Sequence, residues 1–482
     1  MLVLDWKPNK KNDLPLYKQI IEYIKNKIEK SEWPVGSILP SQRQLAAYFE
    51  VNRSTISIAI DELIADGLLE GKVGCGTRII NNTWSLMRST IPPDWDCYIE
   101  AGLQHSNLPM IQEINQYETK KNILRLGKCE LSPELYPAEL MQKVLINLSS
   151  KIKFMGYEEP KGLFALRKQL SCYFKSWGIN ASPSSILIVS GALQALQLIS
   201  LGLSQAGSTL LLETPSYLYS LNLFQSAGLR FCGLPLDTEG IQLGPLAYQK
   251  ERQNNSTFLY TIPCFHNPTG ISMSEQRRKN LMTLCEKEQL PIIEDDVYRE
   301  LWLDSPPPPP LKSLDKHGLV LYIGSLSKTL SPGLRIGWIV GPETVINHLA
   351  DIKMQNDYGS SSLSQWAATE WLADGLYQQH LENVRSQLRI RREICTNILN
   401  THFKGLAVWN IPAGGLYIWL TLMVPIATSK LFRKALKSGL LITPGNIYER
   451  NNSKEIRISY GFLTISELEK SLTILAAIIR DC

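Results

Sequence analysis

The sequence predicts a multi-domain protein in which a small α+β unit at the N-terminus is followed by a large α/β domain. A chain of 482 residues with 44% hydrophobic side chains suffices for roughly three domains at about 150 residues each. Helical spacing and capping signals fill residues 1–80, whereas short apolar runs alternate with longer helical patterns from Ile123 onward. Such alternation is typical of a parallel sheet covered by helices on both faces.

Charge and cysteine usage narrow the class of protein. The 50 basic and 45 acidic residues give a formal net charge of +5, which is too small to indicate nucleic-acid binding by itself. The nine cysteines form no C-x-x-C pair, so neither a metal site nor a disulfide framework is indicated, and we expect a cytoplasmic protein with reduced thiols. The most apolar run, 416–427, is too short to span a bilayer, so we expect no membrane association.

Residues 1–80 open with two predicted helices. The first helix is predicted from apolar residues that recur at helical spacing: Leu16, Ile20, Ile24 and Ile28. The second begins with a capping box, because Ser41 is followed three residues later by Gln44. Leu45 and Phe49 are expected on its inward face.

A third helix is expected to be capped by Asn52 and to end near Gly67. Its predicted core stripe consists of Ile56, Ile60, Leu63 and Ile64. The polar residues near its start are expected to face outward: Arg53, Ser54, Thr55 and Ser57. Two short strands, 68–70 and 77–80, flank a glycine-rich turn. Three helices and a hairpin predict a winged helix-turn-helix, whose third helix enters the major groove of DNA; a small helical oligomerisation module is the alternative.

Three strings in this region resemble the GntR-type winged-helix domain: Leu-Pro-Ser-Gln-Arg-Gln-Leu-Ala at 39–46, Val-Asn-Arg-Ser-Thr-Ile at 51–56 and Gly-Cys-Gly-Thr at 74–77. The resemblance implies double-stranded operator DNA as a partner. It assigns the candidate DNA contacts to Ser41, Arg43, Arg53, Ser54 and Thr55, with Gly74 and Gly76 shaping the wing. Asn52 stands where serine is usual, a change expected to keep the helix cap.

Residues 81–107 are predicted to form a linker, because Pro92-Pro93 and scattered tryptophans show no sustained period. The large domain, 108–482, is organised around 325–337, Ser-Leu-Ser-Lys-Thr-Leu-Ser-Pro-Gly-Leu-Arg-Ile-Gly. This string follows an apolar strand-like run, so Lys328 is expected at the carboxyl end of a strand, where open α/β sheets place ligands.

The chemistry of this string suggests pyridoxal 5'-phosphate. The hydroxyls of Ser325 and Ser327 with the guanidinium of Arg335 suit a phosphate, and Lys328 between them can form a Schiff base with an aldehyde. A solvated loop with ordinary serines and a surface lysine is the alternative.

Four further motifs follow other predicted strands. Ser-Gly-Ala at 190–192 opens a helix whose amides would face an anion, and Tyr217 can stack on a pyridine ring. Asn267, in Asn-Pro-Thr-Gly, can bond the phenolic oxygen of that ring. Asp295 can keep the ring nitrogen protonated, and the Tyr298 hydroxyl can bond the phenolate.

These motifs resemble the fold-type-I aminotransferases of the kynurenine/α-aminoadipate-like branch, from about 108 to 482. The resemblance implies a large and a small subdomain, with Lys328 as the Schiff-base lysine. It gives cofactor-binding roles to Gly191, Ala192, Tyr217, Asn267, Asp295, Tyr298, Ser325, Ser327 and Arg335. It adds Tyr157, which such enzymes lend across a dimer interface, and Arg457, which grips a substrate α-carboxylate. Leu193 stands where the family often has glutamine, so one contact to the phosphate is lost.

The order of the two domains resembles the MocR subfamily of GntR-type bacterial regulators. It implies a sequence-specific, pyridoxal-phosphate-dependent transcriptional regulator, acting as a head-to-tail homodimer and sensing an amino compound or the cofactor itself. An amino compound held by Arg457 is expected to displace Lys328 from the aldehyde. A genuine aminotransferase with an accessory module and a cofactor-handling or storage protein are the alternatives, and a residual aminotransferase half-reaction stays open.

Overall fold

A computed structural model of the chain describes residues 2, 4–30, 32–72, 76–81, 95–152, 155–253, 256–452 and 454–481. The chain divides into two compact units, Met1–Ala101 and Gly102–Cys482. Among the described residues, no helix is both long and apolar enough to cross a membrane.

The N-terminal unit contains helices and one β-hairpin. Their bounds are α1 (Leu16–Glu29), α2 (Gln42–Phe49), α3 (Arg53–Ala65), β1 (Leu69–Lys72), β2 (Gly76–Ile79) and α4 (Trp95–Ala101). The two strands pair antiparallel, as predicted. Helix α4 lies within the segment predicted to be a linker, and it buries none of its residues. Gly74, expected to shape the wing, lies outside the described residues.

Capping at the second helix is confirmed, whereas capping at the third is not. The Ser41 hydroxyl accepts a hydrogen bond from the Gln44 N–H at 3.3 Å, and the Gln44 side chain accepts one from the Ser41 N–H at 2.9 Å. Asn52 does occupy the N-cap position of α3, but its side chain makes no capping hydrogen bond. The prediction that Asn52 keeps the cap through its side chain was therefore wrong.

The buried stripe of α3 differs by one residue from the prediction. Ile64 is 38% exposed, and the fully buried Ala59 takes its place. Positions 56, 59, 60 and 63 follow the i, i+3, i+4, i+7 spacing of a single helix face, whereas 64 lies one residue beyond it. The face that packs on α1 and α2 is thus narrower than the apolar sequence suggests.

The large unit contains most of the helices and strands. Its helices are α5 (Pro109–Glu118), α6 (Ala138–Lys151), α7 (Phe164–Phe174), α8 (Ala192–Gly202), α9 (Leu223–Ser226), α10 (Leu243–Glu251), α11 (Glu275–Lys287), α12 (Leu311–Leu314), α13 (Glu343–Asp357), α14 (Ser362–Ala373), α15 (Leu376–His402), α16 (Thr428–Lys437) and α17 (Ile465–Arg480). Its strands are β3 (Leu124–Arg125), β4 (Ile186–Val189), β5 (Thr209–Thr214), β6 (Arg230–Asp237), β7 (Gly240–Ile241), β8 (Thr257–Thr261), β9 (Ile292–Asp295), β10 (Val320–Ser325), β11 (Gly337–Val340), β12 (Ala407–Trp409), β13 (Tyr417–Leu422), β14 (Leu440–Leu441), β15 (Thr443–Pro444) and β16 (Glu455–Ser459).

The main sheet has eight strands in the order β4-β11-β10-β9-β8-β5-β6-β7. Strands β10, β9, β8, β5 and β6 run parallel to one another, as predicted. Strand β11 is antiparallel to both β10 and β4, and β7 is antiparallel to β6. The expected all-parallel sheet is therefore a mixed sheet. The segment 326–336 between β10 and β11 is too short for a parallel crossover, so the chain returns as a hairpin.

The main sheet is buried on both faces. In β4, Leu187 and Val189 join the apolar cluster on one face, and Ile186 and Ile188 join the cluster on the other. All four side chains are fully buried. Alternate side chains of a strand point to opposite faces, so a wholly apolar strand indicates that both faces are covered.

A smaller sheet lies in the C-terminal part, in the order β12-β13-β16-β15, and β3 pairs in parallel with β14. This pairing joins the start of the large unit to its C-terminal part. The motifs that sequence analysis selected lie at the carboxyl ends of β4, β5, β8, β9 and β10. A cavity lies at these strand ends, and residues 128–130, which follow β3, also line it.

Candidate functional site

One cavity of about 340 Å³ lies at the carboxyl ends of the parallel strands. The residues that line it and were selected from the sequence are Ala192, Tyr217, Asn267, Asp295, Tyr298, Ser325, Ser327, Lys328, Arg335 and Arg457. They come from both the main sheet and the smaller sheet. The fold therefore brings together groups that are far apart in the chain.

Lys328 lies on the hairpin loop between β10 and β11. Its ammonium donates a hydrogen bond to the carbonyl oxygen of Cys129 at 2.9 Å. The strand before it, Val320–Ser325, is buried throughout, so the loop begins from a fixed point. The amine therefore lies in the cavity, at the position expected for a group that reacts with an aldehyde.

Asp295 ends strand β9 and is 3% exposed. Its Oδ2 accepts a hydrogen bond from the Tyr260 hydroxyl at 2.8 Å, whereas its buried Oδ1 has no hydrogen-bond partner. Burial raises the pKa of this carboxyl to about 6, although the Tyr260 hydrogen bond and the charge of Lys328 oppose the rise. An unpaired buried carboxylate oxygen in a cavity is suited to a cationic N–H, and a pyridinium supplies one.

Donors for an anion gather at the other end of the cavity. Ser325 Oγ lies 2.9 Å from Ser327 Oγ and from the carbonyl oxygen of Ile336. The Arg335 guanidinium donates to the Ser190 carbonyl at 2.8 Å and to the Pro332 carbonyl at 3.4 Å, and it lines the cavity. Gly191 does not line the cavity, but a Cβ at that position would lie 2.7 Å from Arg335 Nη2. Only glycine leaves room for this arginine.

Asn267 connects Tyr298 with Arg457. Its Nδ2 donates to the Tyr298 hydroxyl at 3.3 Å, and its Oδ1 accepts from the Arg457 guanidinium at 2.7 Å. Arg457 also donates to the Gly127 carbonyl at 2.8 Å, and its Nε is buried without a partner. Asn267 and Tyr298, predicted to bind the phenolate of a cofactor, and Arg457, predicted to bind a carboxylate, therefore belong to one hydrogen-bond network.

The rings of Tyr417 and Tyr448 enclose the Arg457 guanidinium, with centroids 4.4 Å and 5.1 Å from it. Sequence analysis missed both tyrosines. They lie in the C-terminal part, outside any motif: Tyr417 in an apolar run and Tyr448 in a mostly polar segment. Neither setting gives a signal beyond packing. Only the pairing of β13 with β16, which sets Tyr417 near Arg457, reveals the contact.

Cys129 is a third residue that sequence analysis missed. Its sulfur contacts the hydroxyls of Tyr298, at 3.2 Å, and Tyr417. Burial raises the pKa of the thiol, but the charges of Lys328 and Arg457 outweigh burial and leave it below its ordinary value. Cys129 follows a strand of two residues, which is too short to be found from periodicity.

Three charged residues that sequence analysis did not select also line the cavity: Glu118, Lys128 and Glu130. Lys128 pairs with Glu130 at 3.1 Å, and its ammonium lies 4.6 Å from the centroid of the Phe462 ring. Glu118, the last residue of α5, also lines the cavity. Its pKa is raised, first by burial and further by Glu130, while the charge of Lys128 opposes the rise.

Tyr157, like Gly191, is a predicted cofactor-site residue that does not line the cavity. It is 81% exposed, and its ring lies 5.0 Å from that of Tyr358. The exposed position is compatible with a residue that acts on a second copy of the chain. Leu193 lines the cavity and is 46% exposed.

The candidate DNA contacts lie on the surface of the N-terminal unit. Ser41, Arg43, Arg53 and Ser54 are exposed, and Thr55 is half-buried. The Ser41 hydroxyl is engaged in the capping box described above. Gly76 opens β2 with a φ of 86°, which favours glycine. These residues lie at the starts of α2 and α3 and at the hairpin, which are the elements that a winged helix-turn-helix uses.

The cavity residues fit pyridoxal phosphate. The unpaired Asp295 Oδ1, the Lys328 amine and the donors around Arg335 match the ring nitrogen, the aldehyde and the phosphate of that molecule in chemical type. The side chain of Tyr217 lines the same cavity, where an aromatic ring can stack on a pyridine.

Two family models match the chain. The model described as aminotransferase class I and II matches residues 122–475, and the model described as bacterial regulatory proteins, gntR family, matches residues 16–79. Both resemblances seen in the sequence are therefore confirmed, and so is the fold class.

Relatives of known name are similar over almost the whole chain. The uncharacterized HTH-type transcriptional regulator YdfD of Bacillus subtilis is 54% identical over 472 residues, which cover 98% of each chain. The HTH-type transcriptional regulator NorG of Staphylococcus aureus is 37% identical over 439 residues, covering 90% of this chain and 97% of NorG.

Solved structures resemble the large unit. Pyrococcus horikoshii kynurenine aminotransferase superposes with a TM-score of 0.76 and 29% identity, and the match covers 81% of this chain and 99% of the aminotransferase. The α-aminoadipate aminotransferase LysN of Thermus thermophilus gives a TM-score of 0.73 and 28% identity, with 80% and 98% of the two chains covered.

Proposed function

The chain belongs to the MocR-type transcriptional regulators, which join a GntR helix-turn-helix domain to an aminotransferase class I and II domain, and on this basis we propose that it is a pyridoxal-phosphate-dependent sensor of an amino compound. One observation carries the proposal: a single cavity contains the Lys328 amine, the unpaired Asp295 oxygen and the Arg457 guanidinium. A scaffold without a ligand has no need of this combination.

Bound in the cavity, pyridoxal phosphate would supply an aldehyde that reacts reversibly with primary amines and a ring that withdraws electrons. Lys328 would hold the aldehyde, and Asp295 would accept a hydrogen bond from the ring nitrogen. Asn267 and Tyr298 would bind the phenolate oxygen, with Tyr217 stacked on the ring. The phosphate would be bound by Ser325, Ser327, Arg335 and the amides of Gly191 and Ala192.

Arg457 would bind the carboxylate of the effector. Two of its nitrogens donate to Asn267 and Gly127, while its Nε lacks a partner and its charge lies between two tyrosine rings. An amino compound held here would place its amino group near Lys328. If this compound binds one arrangement of the protein more tightly, it shifts the protein toward that arrangement, and DNA must alter effector affinity by the same factor.

The assignment of the remaining parts follows from the same proposal. Residues 1–80 would bind operator DNA through Ser41, Arg43, Arg53, Ser54 and Thr55, with Gly74 and Gly76 in the wing. Residues 81–107 would be the linker, and 108–482 the sensor. We propose a cytoplasmic, head-to-tail homodimer in which Tyr157 reaches the partner's cavity, so that two winged helices read repeated half-sites.

The test is to select DNA that the full-length protein binds and then to measure its affinity with and without pyridoxal phosphate and amino compounds. We expect two half-sites per dimer and an affinity that changes when an amino compound is added to the cofactor-loaded protein. A single half-site for each full-length dimer, or an affinity that no amino compound changes, would contradict the proposal.

A second candidate function is an aminotransferase half-reaction. It is favoured by the Lys328 amine, which lies in the cavity with Asp295 and Tyr298 and could move a proton on a bound amino acid. Formation of a keto acid in a single turnover, with no keto-acid acceptor present, would support it. Such turnover would add to the proposed regulation and would not replace it, because relatives that match 98% and 90% of this chain are named as regulators.

A further inference from the structure

The cavity contains one carboxylate that the proposed cofactor and effector groups leave unused. Glu118 ends helix α5 and lines the same cavity as Lys328 and Arg457. Among the contacts of the described residues, it has neither an ion pair nor a side-chain hydrogen bond. Burial raises the pKa of Glu118, and the positive charges of Lys128, Arg457 and Lys328 each oppose the rise. Glu118 is half-buried, and its carboxylate is close enough to interact with the charges of both functional cations.

The position of Glu118 does not stabilise the helix that carries it. The carboxyl end of a helix has a partial negative charge, so a carboxylate in the last turn is unfavourable there. Glu118 thus lacks both a local partner and a favourable helix end. A cation brought in by a ligand would supply what the protein does not.

The other charges of the cavity have partners. Arg335 is assigned to the phosphate and Asp295 to the ring nitrogen, while Arg457 is assigned to the effector carboxylate. Lys128 is already paired with Glu130 at 3.1 Å and lies over the Phe462 ring. An anionic end of an effector would meet the carboxylates of Glu118 and Glu130, the second of which already pairs with Lys128. A cationic end would instead meet Glu118, which has no ion-pair partner among the described residues.

We propose that Glu118 selects the effector, and that the effector is an amino acid whose side chain ends in a second, positively charged amino group. Its carboxylate binds Arg457, its α-amino group meets the aldehyde held by Lys328, and its distal ammonium pairs with Glu118. This inference rests on the proposed function of the cavity and adds the chemical class of the ligand. It differs from the specificity named for LysN, whose α-aminoadipate carries a distal carboxylate.

The experiment uses the full-length, cofactor-loaded protein and four probes of similar length: L-lysine, L-ornithine, the neutral L-norleucine and the anionic L-2-aminoadipate. Binding is followed by the visible absorption of the cofactor and, independently, by the shift in the unfolding temperature. Wild type is expected to bind L-lysine or L-ornithine about tenfold more tightly than L-norleucine, the size of one charge-assisted hydrogen bond, and L-2-aminoadipate most weakly.

Three variants separate the outcomes. Glu118→Gln should remove the preference for the cationic probes over L-norleucine, and Glu118→Lys should reverse the order so that L-2-aminoadipate binds best. Glu113→Gln, the same charge change on the same helix but outside the cavity, should keep the wild-type order. Retained cofactor absorption and an unchanged unfolding temperature without probe show that a variant is folded.

Equal affinity of wild type for L-lysine and L-norleucine, preference for L-2-aminoadipate, or an unchanged order in Glu118→Gln overturns the inference while leaving the sensor proposal intact. If no amino compound changes the absorption of wild type, the sensor proposal fails as well. The two failures are therefore distinguishable.

Discussion

The two candidate functional regions place their side chains in opposite ways. At the DNA face, Arg43, Arg53 and Ser54 are exposed and are carried by helix starts. In the cavity, Asn267, Asp295 and Arg457 are at most 6% exposed and bound to other protein groups. The DNA face is thus ready for a partner without any change in the protein, whereas the cavity holds its groups in place before a ligand arrives. We therefore expect substitutions in the cavity to reduce binding or stability more than substitutions at the DNA face do.

The sharpest test of this difference is Lys328→Ala. Because Lys328 is the amine proposed to bind the aldehyde covalently, the variant should lose all cofactor that borohydride reduction fixes to the protein. Mass spectrometry of reduced protein and of its peptides measures the labelled fraction. Lys316→Ala, at an exposed lysine of the same unit, is the control and should be labelled like wild type. Stoichiometric labelling of Lys328→Ala would show that another group binds the cofactor.

Asp295→Asn tests whether the cavity keeps a buried carboxylate at a cost in stability. The folded-state pKa of about 6 lies above the ordinary pKa of 3.8 for an aspartate, so the folded protein holds a proton that the unfolded chain releases between these values. Stability therefore falls as the pH rises through this window, by up to about 3 kcal/mol at about 1.4 kcal/mol per unit. The cofactor-free variant should be more stable than wild type above pH ~6, and equally stable well below pH ~4.

Urea unfolding of both proteins without cofactor, at several pH values, measures this difference. The same variant should bind the cofactor more weakly, because asparagine cannot pair with a pyridinium as a carboxylate does. Tyr260→Phe, which removes the hydrogen bond to Oδ2, should act in the opposite direction on stability. An Asp295→Asn protein that is less stable than wild type at neutral pH would show that surrounding groups offset the cost of burying the carboxylate.

The two regions also differ in how much of them could be predicted from the sequence, because one depends on local signals and the other on tertiary contacts. Helix caps and periodicity are local, so α1, α2 and the hairpin were predicted closely, and the error at Ile64 concerned the width of one helix face. In the cavity, Lys328 and Asp295 were found because strand ends carry recognisable motifs. Glu118, Cys129 and the tyrosines that enclose Arg457 come from other elements, and only tertiary pairing brings them there. The antiparallel β11 was missed because apolar strands look alike in either direction.

At the DNA face, Arg53→Ala should weaken binding to the selected operator by about 1–3 kcal/mol if the arginine reads a base. Binding to unrelated DNA should change much less, so the loss appears as a loss of discrimination. Electrophoretic or fluorescence titrations at one fixed salt concentration measure both affinities. Lys18→Ala, an exposed cation on α1, provides the matched charge change. Equal losses for operator and unrelated DNA would assign Arg53 to a phosphate.

The smallest expected effect is a gain in affinity for the cofactor. Leu193→Gln would restore a polar side chain beside the proposed phosphate position and should tighten cofactor binding by about 1 kcal/mol, the net value of one hydrogen bond. Leu201→Gln, on the same helix and 54% exposed but outside the cavity, should leave the affinity unchanged. Equilibrium titration of cofactor-free protein with pyridoxal phosphate compares them. Equal affinities for Leu193→Gln and wild type would place the phosphate out of reach of residue 193.

The central claim, that the buried cavity controls the exposed DNA face, is tested most directly by measuring operator affinity and cofactor absorption in the same titration with an amino compound. In wild type, both signals should change with one midpoint. In Arg457→Ala and in the more conservative Arg457→Lys, both midpoints should move together to higher concentration, while the affinity for DNA without effector stays that of the cofactor-loaded wild type. An operator affinity that responds equally in all three proteins, or that responds without any change in absorption, would show that the effector binds elsewhere.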